Sequence, residues 1–299
     1  MKIIDLLTSP WAIIPSKLIE IVEIYNTHLK GEKIDLKIVE AQMGKPLNRE
    51  EQGYEVVDGV AVIPIDGVIS KKMNLFTKIS GGASTQLIGR DFQQTLNDPT
   101  VKAIVLNIDS PGGSVDGTFE LANMIYESRG KIPILAYTDG VMASAAYAIG
   151  SAADKIYISG DTTQVGSIGV IAIHRDISKA EEKAGIKTTH IVAGKYKAVG
   201  SPYAPLSEDD RVIIQKDIDY LYSVFVQNVS RNRDVSTDQV LSDMAEGQIF
   251  IGKQAIEAGL VDGVSTLESL VYQYSSANLP FRVRATIESR VKEVCYAVS

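Results

Sequence analysis

The sequence places one serine hydroxyl in a setting suited to nucleophilic chemistry. An apolar, strand-like run over residues 134–137 reaches a turn at Asp139 and Gly140, and small residues then lead into a predicted helix with Ser144 near its first turn. A hydroxyl in this position lies beside unpaired backbone N–H groups, where developing negative charge is stabilised. Serine is also a common helix cap, so this stretch alone leaves a purely structural role open.

Backbone N–H groups near residue 112 could supply a second part of the same chemistry. The buried-strand pattern of residues 101–108 runs directly into Asp109-Ser110-Pro111-Gly112-Gly113-Ser114, ahead of a predicted helix at 116–128. Glycines in such a turn expose N–H groups where no side chain obstructs approach. The turn can form half of an oxyanion hole, although Pro-Gly also occurs in ordinary strand-to-helix turns.

A lysine could supply the general base that a serine hydroxyl needs at neutral pH. Lys197 follows Ser144 by 53 residues, and its neighbours Tyr196, Ala198 and Val199 form an apolar setting. Lysine acts as a base where desolvation favours its neutral form. Judged by composition alone, Lys195 is an equal candidate, and either lysine could be a solvated surface side chain.

Composition excludes several function classes. The chain has 299 residues and 45% hydrophobic content, enough for a sizeable core. Its net charge of −7 and the absence of a Lys/Arg-rich block argue against a nucleic-acid partner. The single cysteine, Cys295, excludes an internal disulfide framework and a cysteine-based metal site. No apolar run approaches the ~18 residues needed to cross a bilayer, so we expect no membrane anchor and a cytoplasmic location.

The segments around these candidates alternate between strand and helix patterns. The strand patterns lie at 54–69, 101–108, 134–137, 155–158, 164–173 and 188–192. The helix patterns lie at 17–29, 85–96, 116–128, 177–184, 207–230, 236–242 and 253–258. This alternation predicts an α/β domain with a largely parallel sheet.

Three motifs, in this order, carry a resemblance to a known family. They are residues 109–113 (Asp-Ser-Pro-Gly-Gly), 142–147 (Met-Ala-Ser-Ala-Ala-Tyr) and 194–202, which begins Gly-Lys-Tyr-Lys. Together they resemble the signal peptide peptidase A family of serine peptidases, and residues 166–170 and 254–262 match the same family. The resemblance implies a ClpP/crotonase-like spiral of β-β-α units with a mostly parallel sheet. The preamble Ser9–Pro15 and the lack of an anchor resemble the phage capsid assembly, or head maturation, branch.

The resemblance also implies a Ser-Lys dyad and assigns each residue a role. Ser144 would be the nucleophile, Lys197 the general base, and Ser167 the hydroxyl that orients the lysine. The backbone N–H groups of Gly113 and Ala145 would form the oxyanion hole. The remaining residues expected to line the substrate site are Gly112, Ser114 and Gly166. Ala145 and Ala146 depart from a family that usually has glycine close after the nucleophile, and no metal or organic cofactor is implied.

Domain limits and partners follow from the same resemblance. We expect a helical preamble and linker at 1–53, a peptidase domain at 54–270 and a C-terminal tail at 271–299. The substrate would be an extended polypeptide bound as an added strand, with small or apolar side chains preferred. A homo-oligomer is expected, with sites completed between subunits. For the phage branch, the partners would be scaffold, portal and capsid proteins, in the host cytoplasm or prohead interior.

Four alternatives stay open at this point. One is a Ser-His-Asp triad on the same fold, for which His174 is the candidate histidine. Another is a bacterial cytoplasmic peptidase of the same family that degrades signal peptides. The third is a crotonase-like acyl-CoA enzyme, which would leave Ser144, Ser167 and Lys197 without roles. The fourth is a non-catalytic assembly protein.

Overall fold

The computed structural model describes residues 10–19, 21, 53–72 and 82–276, and its centre is a six-stranded sheet. The strands of this sheet, numbered in chain order, are β2 (Glu55–Val57), β3 (Val60–Asp66), β6 (Ala103–Asp109), β8 (Ile134–Thr138), β10 (Lys155–Ile158) and β13 (Gly263–Val264). Their spatial order is β13-β10-β8-β6-β3-β2, and every pair is parallel except β2 with β3. The predicted mostly parallel α/β sheet is therefore confirmed.

Seven short strands form two smaller sheets beside the large one. One sheet has the order β1-β7-β4-β5 and contains β1 (Trp11–Ile13), β4 (Val68–Ser70), β5 (Gly82–Ser84) and β7 (Gly112–Ser114). The other has the order β12-β11-β9 and contains β9 (Val141–Ala143), β11 (Gln164–Gly166) and β12 (Ile249–Ile251).

Helices cover both faces of the large sheet. They are α1 (Thr85–Asn97), α2 (Thr118–Tyr126), α3 (Ala145–Ser151), α4 (Ser178–Lys183), α5 (Glu208–Arg233), α6 (Thr237–Gln239), α7 (Lys253–Glu257) and α8 (Leu267–Ser276). A π-helix at Val240–Met244 continues α6, and residues 15–19 are also helical. No helix in the described ranges is long and apolar enough to span a bilayer.

The sheet is buried on both faces, which is why its central strands are almost continuously apolar. Ile104 and Leu106 of β6 belong to the main core, which also contains residues of α1, α2, α3 and α5. The alternate residues Ala103 and Val105 point to the opposite face, where Leu270 of α8 completes a second cluster. α8 runs unbroken across residue 270, where the sequence places a domain limit; the division into three segments stays a prediction.

The chain repeats a strand-strand-helix unit. In three successive units the first strand (β6, β8 or β10) joins the large sheet, the second (β7, β9 or β11) joins a small sheet, and a helix follows. The second strands are neighbours: Gly166 of β11 lies opposite Ala143 of β9 in parallel register, and Ser110, just before β7, bridges Met142 of β9. The repeat thus places three turns, near residues 111, 144 and 167, at one edge of the small sheets.

Two predicted strands are wrong. The run 164–173 forms a strand only at Gln164–Gly166, because Gly166 and Ser167 adopt positive φ angles of 115° and 53° that end the extended backbone. Residues 188–192 form no strand, and Ile191 is 97% exposed. Their strand propensity has no effect because none of the described strands pairs with them. Most of the predicted helix at 17–29 lies outside the described residues.

Candidate active site

Ser144 lies at a strained strand-to-helix turn. β9 leads directly to it and α3 follows, and its φ of 55° and ψ of −118° are uncommon for a residue with a side chain. Its N–H donates to the carbonyl of Gly166 at 2.7 Å, and its Oγ donates to the carbonyl of Gly169 at 3.4 Å. The hydroxyl makes no capping bond to α3, so the capping role that the sequence left open is not its role here.

Contacts at the C-terminal end of α3 and within it hold this helix in place. At its C-terminal end, the Arg129 guanidinium donates to the carbonyls of Ser151, Ala152 and Ala153 at 2.6–3.0 Å. Within the helix, the buried Tyr147 hydroxyl donates to the carbonyl of Leu260 at 2.9 Å, and burial raises the pKa of this phenol. Because α3 is fixed, the turn that carries Ser144 has little freedom to move.

Ser167 lies next to Ser144 at the same sheet edge. Because Gly166 faces Ala143 in parallel register, the two serines leave adjacent strands at the same level. Ser167 N–H donates to the Gln248 carbonyl at 2.6 Å, and only 5% of the residue is exposed. A Cβ on Gly166 would approach the same carbonyl to 2.8 Å, so this position requires glycine.

The glycines of β7 lie against the turn that carries Ser144. Ser110 links the two segments, since its N–H donates to the Val141 carbonyl at 2.7 Å and its carbonyl accepts from Ala143 N–H at 3.1 Å. A Cβ on Gly112 would stand 3.0 Å from the Cβ of Ser144. The structure therefore brings Gly112, Gly113 and Ser114 together with Ser144, Ala145, Gly166 and Ser167.

Within the protomer, no described hydrogen bond joins Lys197 to Ser144. The lysine lies in residues 172–206, here called the lysine arm, in which every residue is partly or fully exposed. Its N–H donates to the Gly194 carbonyl at 3.2 Å, but across the described residues Nζ has no hydrogen bond or ion pair. Lys195 Nζ lies 5.2 Å from the ring centre of Tyr196. Neither lysine is paired with a serine here.

Two histidines, which sequence reasoning did not assign to this role, organise the lysine arm. His174 Nε2 lies 3.0 Å from the Ser201 carbonyl, and His190 Nε2 lies 3.0 Å from Ser201 Oγ. The His174 ring is thus occupied by the arm, and no described hydrogen bond joins it to Ser144, which gives no support to a Ser-His triad. These contacts join residues far apart in sequence without periodicity, so no sequence pattern marks them.

A second missed feature is β1, which the sequence places in a preamble without a catalytic role. The strand pairs with β7 in antiparallel register, with Ala12 opposite Gly113. The only sequence signal is an apolar run between Pro10 and Pro15. The chain thus brings its own backbone beside Ser144.

Two family models match the chain. The model described as peptidase family S49 matches residues 127–278, and the model described as Clp protease matches residues 72–165. The first range contains Ser144, Ser167 and Lys197, and the second contains Gly113 and Ser144. The Clp protease match agrees with the observed strand-strand-helix repeat, so the expected ClpP-like fold is confirmed.

Three similar proteins are named as peptidases or phage head proteins. Capsid assembly protease C of Escherichia phage lambda is 34% identical over 214 residues, which cover 72% of this chain and 48% of that protein. Head-tail preconnector protein GP5 of Enterobacteria phage P21 is 33% identical, with coverage of 72% and 42%. Putative signal peptide peptidase SppA of Enterococcus faecium is 32% identical, with coverage of 70% and 60%.

This chain spans about half the length of the two phage relatives. The S49 match alone covers just over half of the chain and includes the strained serine turn. The resemblance found in the motifs is therefore confirmed, and the chain belongs to peptidase family S49.

Proposed function

We propose that the protein is a serine endopeptidase in which Ser144 is the nucleophile and Lys197 of a neighbouring copy is the general base. The observation that carries the proposal is the convergence of the strained Ser144 turn, the backbone of β7 and the Ser167 turn at one sheet edge. Family membership supports peptide-bond hydrolysis as the reaction.

The reaction assigns a step to each group. Lys197 Nζ takes the proton of Ser144 Oγ as the oxygen attacks the substrate carbonyl, and the N–H groups of Gly113 and Ala145 hold the resulting oxyanion. Collapse of this intermediate breaks the C–N bond, and the lysine returns the proton to the leaving amine. Water, activated by the same lysine, then releases the acyl group from Ser144.

A neighbouring copy is the proposed source of the lysine because the lysine arm exposes several large apolar side chains. Ile186, Ile191 and Tyr196 are 54%, 97% and 61% exposed. Large apolar side chains left exposed are typical of a surface that another protein covers. Contact with a second copy would also remove water from the amine of Lys197, which favours the neutral form that acts as a base. Ser167, beside Ser144, would orient that amine.

For the substrate, we propose scaffold or capsid proteins cleaved during phage head maturation. The names of the two phage relatives support this branch. The second candidate is a cytoplasmic peptidase that degrades signal peptides, which the Enterococcus relative's name favours. The cytoplasm or the prohead interior stays the expected location.

The test is cleavage of casein by wild type, Ser144→Ala, Lys197→Ala and Lys195→Ala, with intact mass and oligomeric state recorded for each. We expect the first two variants to lose about 10³-fold or more in kcat/KM and Lys195→Ala, the matched control, to keep activity. Unchanged activity in Ser144→Ala would overturn the proposal.

His174→Ala addresses the triad separately. Loss of activity in this variant with an intact oligomer, together with a fully active Lys197→Ala, would replace the dyad by a triad. An assembled wild type that cleaves no protein substrate would favour a crotonase-like or non-catalytic role.

A further inference from the structure

The N-terminal strand β1 lies between two segments that each contact Ser144. On one side is β7, whose Gly112 is close to Ser144. On the other side Trp11 exchanges two backbone hydrogen bonds with Ile171, of 2.9 and 2.8 Å, two residues after Gly169, the acceptor of the Ser144 hydroxyl. β1 therefore completes a three-segment sheet across the nucleophile.

The carbonyl group of Ala12 lies close to the reacting atoms. A Cβ added to Gly112 would contact both the Ala12 carbonyl oxygen and the Ser144 Cβ, so these two atoms border the same small space. On either side of Ala12, Ile14 N–H donates to the Pro111 carbonyl at 3.0 Å, and Val115 N–H donates to the Pro10 carbonyl at 3.4 Å. Because hydrogen-bonded pairs alternate along antiparallel strands, Ala12 and Gly113 form the hydrogen-bonded pair between these two. The proposed oxyanion donor, Gly113 N–H, thus faces the Ala12 carbonyl.

This arrangement matches what a bound substrate would need. An added antiparallel strand must place its scissile carbonyl at the oxyanion donors and beside the serine hydroxyl. β1 presents Ala12 in that place, and Ser144 is only 1% exposed beneath it. A polypeptide from another molecule cannot reach Ser144 while β1 stays where it is.

The packing of β1 indicates that it can be displaced without dismantling the core. Trp11 and Ile13 belong to a small cluster with Leu18 and Ile21, separate from the main core. Only the small Ala12 side chain, on the opposite face of the strand, belongs to the main core. Release of β1 would therefore open the small cluster and leave the sheet and its helices in place.

We propose that residues 10–14 are a built-in pseudosubstrate that occupies the substrate-strand site, and that substrates bind in the same register after displacing them. The site then takes an extended polypeptide with a bulky apolar residue at the Trp11 position, a small residue at the Ala12 position and an aliphatic residue after it. This inference rests on the proposed function, because it identifies the groove beside Ser144 as the substrate site.

The test measures peptide binding rather than catalysis, in the full chain carrying Ser144→Ala. The probe is a fluorescent peptide of sequence Ser-Pro-Trp-Ala-Ile-Ile-Pro, identical to residues 9–15. Ala12→Asp puts a charge at a buried position and should dislodge β1. The matched control is Ile19→Asp, in the helical stretch that follows, where the side chain is 54% exposed.

We expect the probe to bind Ala12→Asp about tenfold or more tightly than the parent, and the parent and Ile19→Asp to bind it equally. A probe with tryptophan in place of its alanine should not bind. Equal binding to parent and Ala12→Asp, or equal binding of both probes, would overturn the proposal. Global unfolding of Ala12→Asp would overturn it too, because β1 would then be part of the core. None of these outcomes depends on catalysis, so an inactive wild type would count against the proposed function alone.

Discussion

Gly112 is the residue at which a side chain would most directly disturb the site. Its φ is 103°, and an added Cβ would meet the Ala12 and Ala143 carbonyl oxygens and the Cβ of Ser144. If Ser144 is the nucleophile, Gly112→Ala should therefore move the Ser144 turn and lower kcat/KM by about 100-fold, since displacements near 1 Å at a reacting group have effects of this size. Casein cleavage and thermal unfolding, measured on the same preparation, check this.

Gly130→Ala is the matched control, because this glycine has a φ of 80° but nothing within 4 Å of an added Cβ. It should cost about 1 kcal/mol of stability through backbone strain and leave activity unchanged. Equal activity losses in the two variants would mean that strain, and not close approach to Ser144, limits the site.

Arg129 holds the C-terminal end of α3 in place through hydrogen bonds. Its guanidinium donates to carbonyls at the end of α3 and also to the Asn232 carbonyl at the end of α5, at 3.0 Å. Arg129→Ala would leave the carbonyls of several buried residues without this donor, so we expect a loss of about 2–3 kcal/mol in the free energy of unfolding. Chemical denaturation measures it, with the exposed Lys131→Ala as control; a loss equal to that of the control would contradict this role.

Ser201 holds the lysine arm together through its contacts with both of the arm's histidines. Ser201→Ala removes the hydroxyl that lies 3.0 Å from His190 Nε2 and accepts from Tyr203 N–H at 3.3 Å. If the arm presents Lys197 to a neighbouring site, its loosening should lower kcat about tenfold with no change in the unfolding of the core. Hydrogen exchange of residues 190–203 should rise in parallel. Normal activity with a loosened arm would show that the arm does not position the base.

Elements differed in how far the sequence determined them. β6, β8 and α1 were predictable because buried parallel strands are continuously apolar and an amphipathic helix is periodic. The Ser144 turn was predictable from its run of small residues. The pairing of β1 was not, because a three-residue strand has no period and its partner β7 lies far along the chain. Residues 188–192 have strand composition, but no strand in the described part of the chain pairs with them, so their strand propensity gave a wrong prediction.

The stability of the molecule depends on pH through Asp262, whose carboxylate pairs with Arg233 and Lys155. Burial alone would raise the pKa of Asp262, but hydrogen bonds and charge from Arg233, at 2.9 Å, outweigh it and lower that pKa. A lowered carboxyl pKa contributes stability that is fully present above its unfolded value of about 3.9 and is lost as pH falls through the folded value.

Asp262→Asn should therefore lower the free energy of unfolding by about 2 kcal/mol near neutral pH, and the difference from wild type should shrink below about pH 3.9. Urea denaturation across this range checks it, with the exposed Asp238→Asn as control. A difference from wild type that stays constant through the acid range would contradict the assignment to the ionised Asp262 carboxylate.

The proposed dyad needs two subunits, since Lys197 is exposed and no described hydrogen bond joins it to Ser144 in one protomer. The most direct measurement is casein cleavage by co-assembled Ser144→Ala and Lys197→Ala subunits, each inactive alone. If each site takes its serine and its lysine from different copies, random mixing at equal amounts should restore about a quarter of wild-type activity. Mixed oligomers that form but stay inactive would contradict a site shared between subunits.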